Sequence, residues 1–109
     1  LTDGRYFFEA PSSYDEKTVN KKWKEQTPEI IKELSLLLRA LPSFDSESVG
    51  VCFKSFLESK NLGFGAVMPG FRLSVTGLGA GASMNEIAAL LGKEEVLKRI
   101  GSALSSINN

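Results

Sequence analysis

The sequence predicts an all-α fold, a compact bundle of about six helices. Three observations carry that expectation. Apolar residues recur at spacings of three and four along most of the chain, capping residues and stops fall at matched distances, and no convincing pair of alternating strands is present. With 109 residues the chain is one domain's worth, and about 65% of the unfolded surface can be buried at that size, enough for a core without staples. Residues 14–109 read as the helical domain. Residues 1–13 read as a leading segment, a remnant of a preceding domain, with Tyr6, Phe7 and Phe8 followed by the turn chemistry of Ala10-Pro11-Ser12-Ser13. Those aromatics pack either on this domain or on a missing neighbour.

The first helix opens at Ser13. Asp15 and Glu16 in its first turn suit the positive end of the helix dipole, and Lys21, Lys22 and Lys24 suit its C-terminal end. Val19 and Trp23, four apart, share a face. The second helix is expected to take Thr27 as N-cap and Pro28 as first helical residue, to present Ile30, Ile31, Leu34, Leu37, Leu38 and Leu41, and to stop at Pro42. The third starts near Asp45, with Phe44 and Val49 placed for a hydrophobic staple, and ends at Asn61, a residue that tolerates left-handed backbone. Gly63, Gly65, Pro69 and Gly70 obscure the next stretch. It reads as a short helix from about Pro69 to Thr76, or as one begun earlier and kinked at the proline. Gly77 to Ala82 is a small-residue loop. Ser83-Met84-Asn85-Glu86 has the spacing of a capping box for a fifth helix, which Gly92 ends, and a sixth runs from Lys93 to about Ser106.

Composition excludes several kinds of chemistry. Lys+Arg and Asp+Glu are both 13, so no basic excess argues for nucleic-acid binding. With no His, the chain has no imidazole acid or base and no His metal ligand. One cysteine, Cys52, allows neither an intrachain disulfide nor a cysteine metal cluster, and fits a reducing compartment. No apolar run approaches the ~18 residues of a membrane helix, and no signal peptide opens the chain. With a start at Leu1 rather than Met, the chain is expected to be a piece of something longer.

Several motifs have bland explanations. Gly77-Leu78-Gly79-Ala80-Gly81-Ala82 matches a dinucleotide-binding fingerprint and opens a helix, but the second parallel strand and its acidic residue are missing. Leu91-Gly92-Lys93-Glu94 resembles the end of a phosphate-binding loop whose remaining positions are wrong, so it reads as a helix stop. Cys52 lies on an apolar stripe and reads as a packed small hydrophobe. Trp23 reads as core, and Lys17, Lys21, Lys22 and Lys24 as a solvated helix end. Asp15-Glu16 and Glu94-Glu95 belong to first turns. No acid, base and nucleophile come together, so the expectation is no catalytic residue and no metal site.

Three stretches carry a resemblance. They are Tyr14-Asp15-Glu16-Lys17 leading to Lys21-Lys22-Trp23, Arg72-Leu73-Ser74-Val75-Thr76-Gly77, and the run from Glu86 through Ala88, Gly92 and Glu95 to Ile100. In this order and spacing, over roughly residues 6–104, they resemble the C-terminal anticodon-binding domain of bacterial-type glutamyl-tRNA synthetases, which are class I aminoacyl-tRNA synthetases. The resemblance implies an all-helical unit, where the glutaminyl relatives use β-barrels. It also implies a cytoplasmic role in translation: binding the anticodon region of tRNA(Glu) while an N-terminal catalytic domain of the same parent chain charges the 3′ end. That parent would be an ATP-dependent glutamate–tRNA ligase, with ATP and Mg2+ in the missing domain, no cofactor in this one, no membrane partner and a monomeric fragment.

Carried over by position, the resemblance assigns anticodon contact to Arg72, to the loop Gly81, Ala82, Ser83, Met84 and Asn85, and to Lys54. A guanidinium plane stacks on an unpaired base or forks onto phosphate, and small loop residues let backbone N–H groups approach RNA. The sequence departs from the family at Ala82, where members often have proline, at Asn85, where a larger apolar residue is usual, and at Lys54, where some have arginine. From the residues alone the rival reading is a helical protein–protein docking module whose apolar grooves hold a partner helix.

Overall fold

In the computed structural model, residues 14–77 and 83–107 are described, and every regular element among them is a helix. The six are α1 (Glu16–Lys22), α2 (Thr27–Arg39), α3 (Ser46–Lys60), α4 (Phe64–Thr76), α5 (Met84–Leu91) and α6 (Lys93–Ser106). The expected bundle is therefore the observed one. The leading segment 1–13 lies outside the described residues.

Helix ends differ from expectation in instructive ways. α1 starts after Asp15 rather than Ser13, because the Asp15 carboxylate accepts the Thr18 N–H at 3.0 Å and so becomes the cap itself. Thr27 is the first helical residue of α2, not its cap. Its buried hydroxyl accepts the Lys24 N–H at 2.8 Å and closes the preceding turn, while Gln26 takes the cap position without a side-chain bond. α3 follows the reading closely. Asp45 accepts the Ser48 N–H at 2.7 Å, and Asn61 ends the helix in left-handed backbone at φ 55°.

The proline-interrupted stretch is one helix, α4, begun five residues before Pro69. A proline there removes the hydrogen bond to the Gly65 carbonyl, and Gly65 is exposed, so water is at hand to replace it. Beyond its first turn α4 is buried almost all round, which marks it as the central helix. Gly70 makes this possible: a Cβ there would stand 3.0 Å from the Thr27 methyl and 3.3 Å from Ile31. α1, α2 and α6 all pack on α4, and α6 also packs on α2 and α5.

Ser83 occupies the N-cap of α5, but its side chain makes no cap bond, so the capping box does not form. Gly92, at φ 92°, ends α5 and starts α6 in a single residue. The lysine after it takes no part in a phosphate loop. Lys93 Nζ donates to the Arg39 carbonyl at 2.9 Å and to the Leu41 carbonyl, holding a cation at the C-terminal end of α2 where the dipole favours one. Trp23 is buried, as expected, though its indole N–H has no hydrogen-bond partner among the described residues. Among the described residues no helix is long and apolar enough to cross a membrane.

Candidate nucleic-acid interface

The site expected from the sequence spreads over α3, α4, α5 and the loop before α5. Gly81 and Ala82 lie outside the described residues. Of the others, Lys54 and Ser83 are exposed, Arg72 and Asn85 half-buried, and Met84 buried.

Arg72 sits on α4. Past the first turn of that helix, only Pro69 and Arg72 interrupt the burial, and with Gly65 they form one stripe at spacings of four and three. Arg72 is half-buried on that stripe, and its backbone carbonyl accepts the Thr76 hydroxyl at 2.9 Å. Its neighbour Phe71 stacks on Phe53 of α3, the residue before Lys54, with ring centroids 5.8 Å apart, which ties the two helices together. Lys54 is exposed on α3.

Asn85 joins Lys54 through a contact that the sequence reading did not anticipate. A Cβ on Gly50 would stand 2.9 Å from Asn85 Nδ2, so the amide of Asn85 on α5 lies directly over Gly50 of α3. Lys54 is one turn further along the same face of α3. The Asn85 Oδ1 is buried and has no hydrogen-bond partner among the described residues. The signal that could have found Gly50 is its position inside a helix, where glycine costs about 1 kcal/mol relative to alanine and therefore suggests a close approach.

Met84 goes the other way. It is 2% exposed and belongs to the core with Ile87 and Ala88, so its side chain is not presented at the surface and only its backbone remains for contact. Ser83 beside it is exposed.

Two arrangements hold the rim of this corner. Gly77, at φ 78°, turns the chain out of α4; its N–H donates to the Leu73 carbonyl and its carbonyl accepts the Asp15 N–H, both at 2.8 Å. Arg99 of α6, 1% exposed, donates from Nη1 to the Val75 carbonyl at 3.0 Å and from Nε to Glu95 at 2.7 Å. Neither Gly77's anchoring nor Arg99's burial was legible in the sequence, where Lys98-Arg99 looks like a solvated pair.

The titratable groups do not suggest reaction chemistry. The Asp15 carboxyl is held below its usual range by hydrogen bonds from the Thr18 side chain and backbone, and Asp45 by those from Ser48, which is cap geometry. Burial pushes the Cys52 thiol up, away from the reactive thiolate, where it packs half-buried beside an apolar cavity of about 500 Å³ lined by Leu37, Leu41 and Val51. Among the described residues no group of three or more acidic or cysteine side chains is arranged to hold a metal ion. The corner offers cations, an amide and backbone donors, which suits binding.

Comparison with known proteins points the same way. A family model described as an anticodon binding domain matches residues 2–104. Among similar proteins, the glutamate–tRNA ligase of Flavobacterium johnsoniae is 43% identical over 107 residues, which is 98% of this chain and 21% of that protein. The glutamate–tRNA ligase of Phocaeicola vulgatus is 44% identical over 100 residues, 92% of this chain and 20% of that one. The crystal structure of a glutamate tRNA ligase from Elizabethkingia meningosepticum, in complex with its amino acid, superposes with a TM-score of 0.91 at 36% identity, covering 97% of this chain and 21% of that one. The chain thus spans about a fifth of the length of the relatives it matches.

Proposed function

The chain belongs to the anticodon-binding domain family, and from that premise we propose that it is the part of a glutamate–tRNA ligase that grips the anticodon arm of tRNA(Glu). The remainder of the ligase attaches glutamate to the 3′ end of the same tRNA, and the ATP and Mg2+ sites belong to that catalytic part. The ligase serves translation in the cytoplasm.

The observation that carries this reading is the family match over residues 2–104. The geometry supports it. Lys54, Arg72 and Asn85 lie on α3, α4 and α5 respectively, with the small-residue stretch 78–82 between the last two in sequence. Unpaired loop bases are read by stacking and by hydrogen bonds to their edges, and a guanidinium provides both. Lys54 provides charge for phosphate, while the Asn85 amide, with its Oδ1 buried and its Nδ2 over Gly50, packs α5 onto α3 beneath that surface. Met84 contributes packing beneath this surface, which leaves Gly81, Ala82 and Ser83 to approach RNA through backbone groups. The net charge of zero is compatible with this role, because local charge decides where phosphate is met and other parts of the ligase add contacts.

In the full-length ligase, Arg72→Ala lowers the efficiency of charging tRNA(Glu) by about tenfold or more, the equivalent of losing one good base contact, while glutamate activation with ATP stays near its normal rate. Normal charging by that variant would remove Arg72 from the interface.

A further inference from the structure

Arg99 has no role in the reading so far, yet it is among the largest fully buried side chains in the molecule. A buried guanidinium is a poor way to gain stability, since an apolar side chain of like volume is often as stabilising. What it supplies is direction. Its Nη1 donates to the carbonyl of Val75, in the last turn of α4, where carbonyls lack a helical donor. Its Nε is held by Glu95 one turn back on α6, at 2.7 Å, so the planar fork cannot swing. Val75 is three residues after Arg72 and two before Gly77, where the chain leaves α4. The same helix α6 packs on α5, which carries Asn85, with Gly92 as a one-residue joint between them. One rigid element therefore backs both sides of the corner.

Resting on the anticodon reading above, we propose that Arg99 is a positioning residue for RNA recognition: by clamping the last turn of α4 onto α6, it sets where Arg72 stands relative to Asn85. It touches no RNA itself, and its effect reaches the ligand through Arg72 and the exit of α4.

Two variants of the chain test this. Arg99→Lys keeps the charge but not the fork, so it cannot hold Glu95 and the Val75 carbonyl at fixed angles together. Arg99→Met removes the bonds to Glu95 and to the Val75 carbonyl. Binding is measured by fluorescence anisotropy to a hairpin with the anticodon arm of tRNA(Glu) and to the same stem with its loop sequence replaced. A purely structural loss lowers the folded fraction and weakens both hairpins equally, leaving their ratio unchanged. The expected result is a fall of about tenfold in that ratio for Arg99→Lys, the size of one mispositioned base contact. In parallel, exchange of the Gly77 amide, which bonds to Leu73, accelerates more than that of core amides in α3. A folded Arg99→Lys variant with wild-type discrimination overturns the proposal, even if Arg99→Met fails to fold. If the wild-type chain itself does not discriminate between the hairpins, the anticodon reading falls, and the positioning role falls with it.

Discussion

Asp45 and Ser83 stand at the same place before their helices, yet only Asp45 closes its helix with a side chain. Both motifs were equally legible in the sequence, because a capping residue announces a helix start whether or not its oxygen turns inward. The consequences differ. Ser83→Ala costs only a few tenths of a kcal/mol in urea unfolding, below the ~1 kcal/mol of a working cap. Asp45→Ala lowers the melting temperature at neutral pH, and the effect depends on pH. Because the folded-state pKa of Asp45 is depressed by the Ser48 bonds, its stabilisation is present above the ordinary carboxylate range and lost as pH falls through the folded value. Thermal melts of wild type and Asp45→Ala should therefore converge in acid. Residue-level reading was weakest for direction. Neighbours such as Lys98 and Arg99, or Ser83 and Met84, look alike on paper, but about 100° of helix separates them and sends one to solvent and the other to the core.

At the scale of elements, α4 shows what local pattern misses. Gly63, Gly65, Pro69 and Gly70 argue against a helix one by one. They are tolerated because Val67, Met68 and Phe71 are buried against surrounding helices, a tertiary gain that local propensity does not register. The two glycines inside α4 should accordingly respond in opposite ways. Gly70→Val overpacks the contact with Thr27 and Ile31 and costs about 1–3 kcal/mol, whereas Gly65→Ala meets nothing within 4 Å and gains up to about 1 kcal/mol. Chemical denaturation midpoints of the two variants decide this. The other five helices were legible because caps, stops and apolar spacing agree with one another. The link from Lys93 to the end of α2 was not, since it spans more than fifty residues of sequence.

For the molecule as a whole, three short motifs in the right order pointed to the family, while composition alone pointed away from RNA. Zero net charge describes the sum and not its placement: Lys54 is exposed on α3 and Arg72 half-buried on α4, and the Phe53–Phe71 stack and the Arg99–Val75 bond tie α4 to α3 and α6. The proposed contact positions came from the resemblance, residue by residue. Their depth was not legible in the sequence, since Met84 beneath them and Gly50 beside them are defined by packing between α3 and α5. The most direct test of the central claim titrates the chain against the anticodon-arm hairpin of tRNA(Glu) and against its loop-replaced counterpart at increasing salt. Both affinities are expected to fall steeply with salt as phosphate contacts are screened, while a preference for the cognate loop persists. Equal affinity for the two hairpins at every salt concentration would contradict the claim.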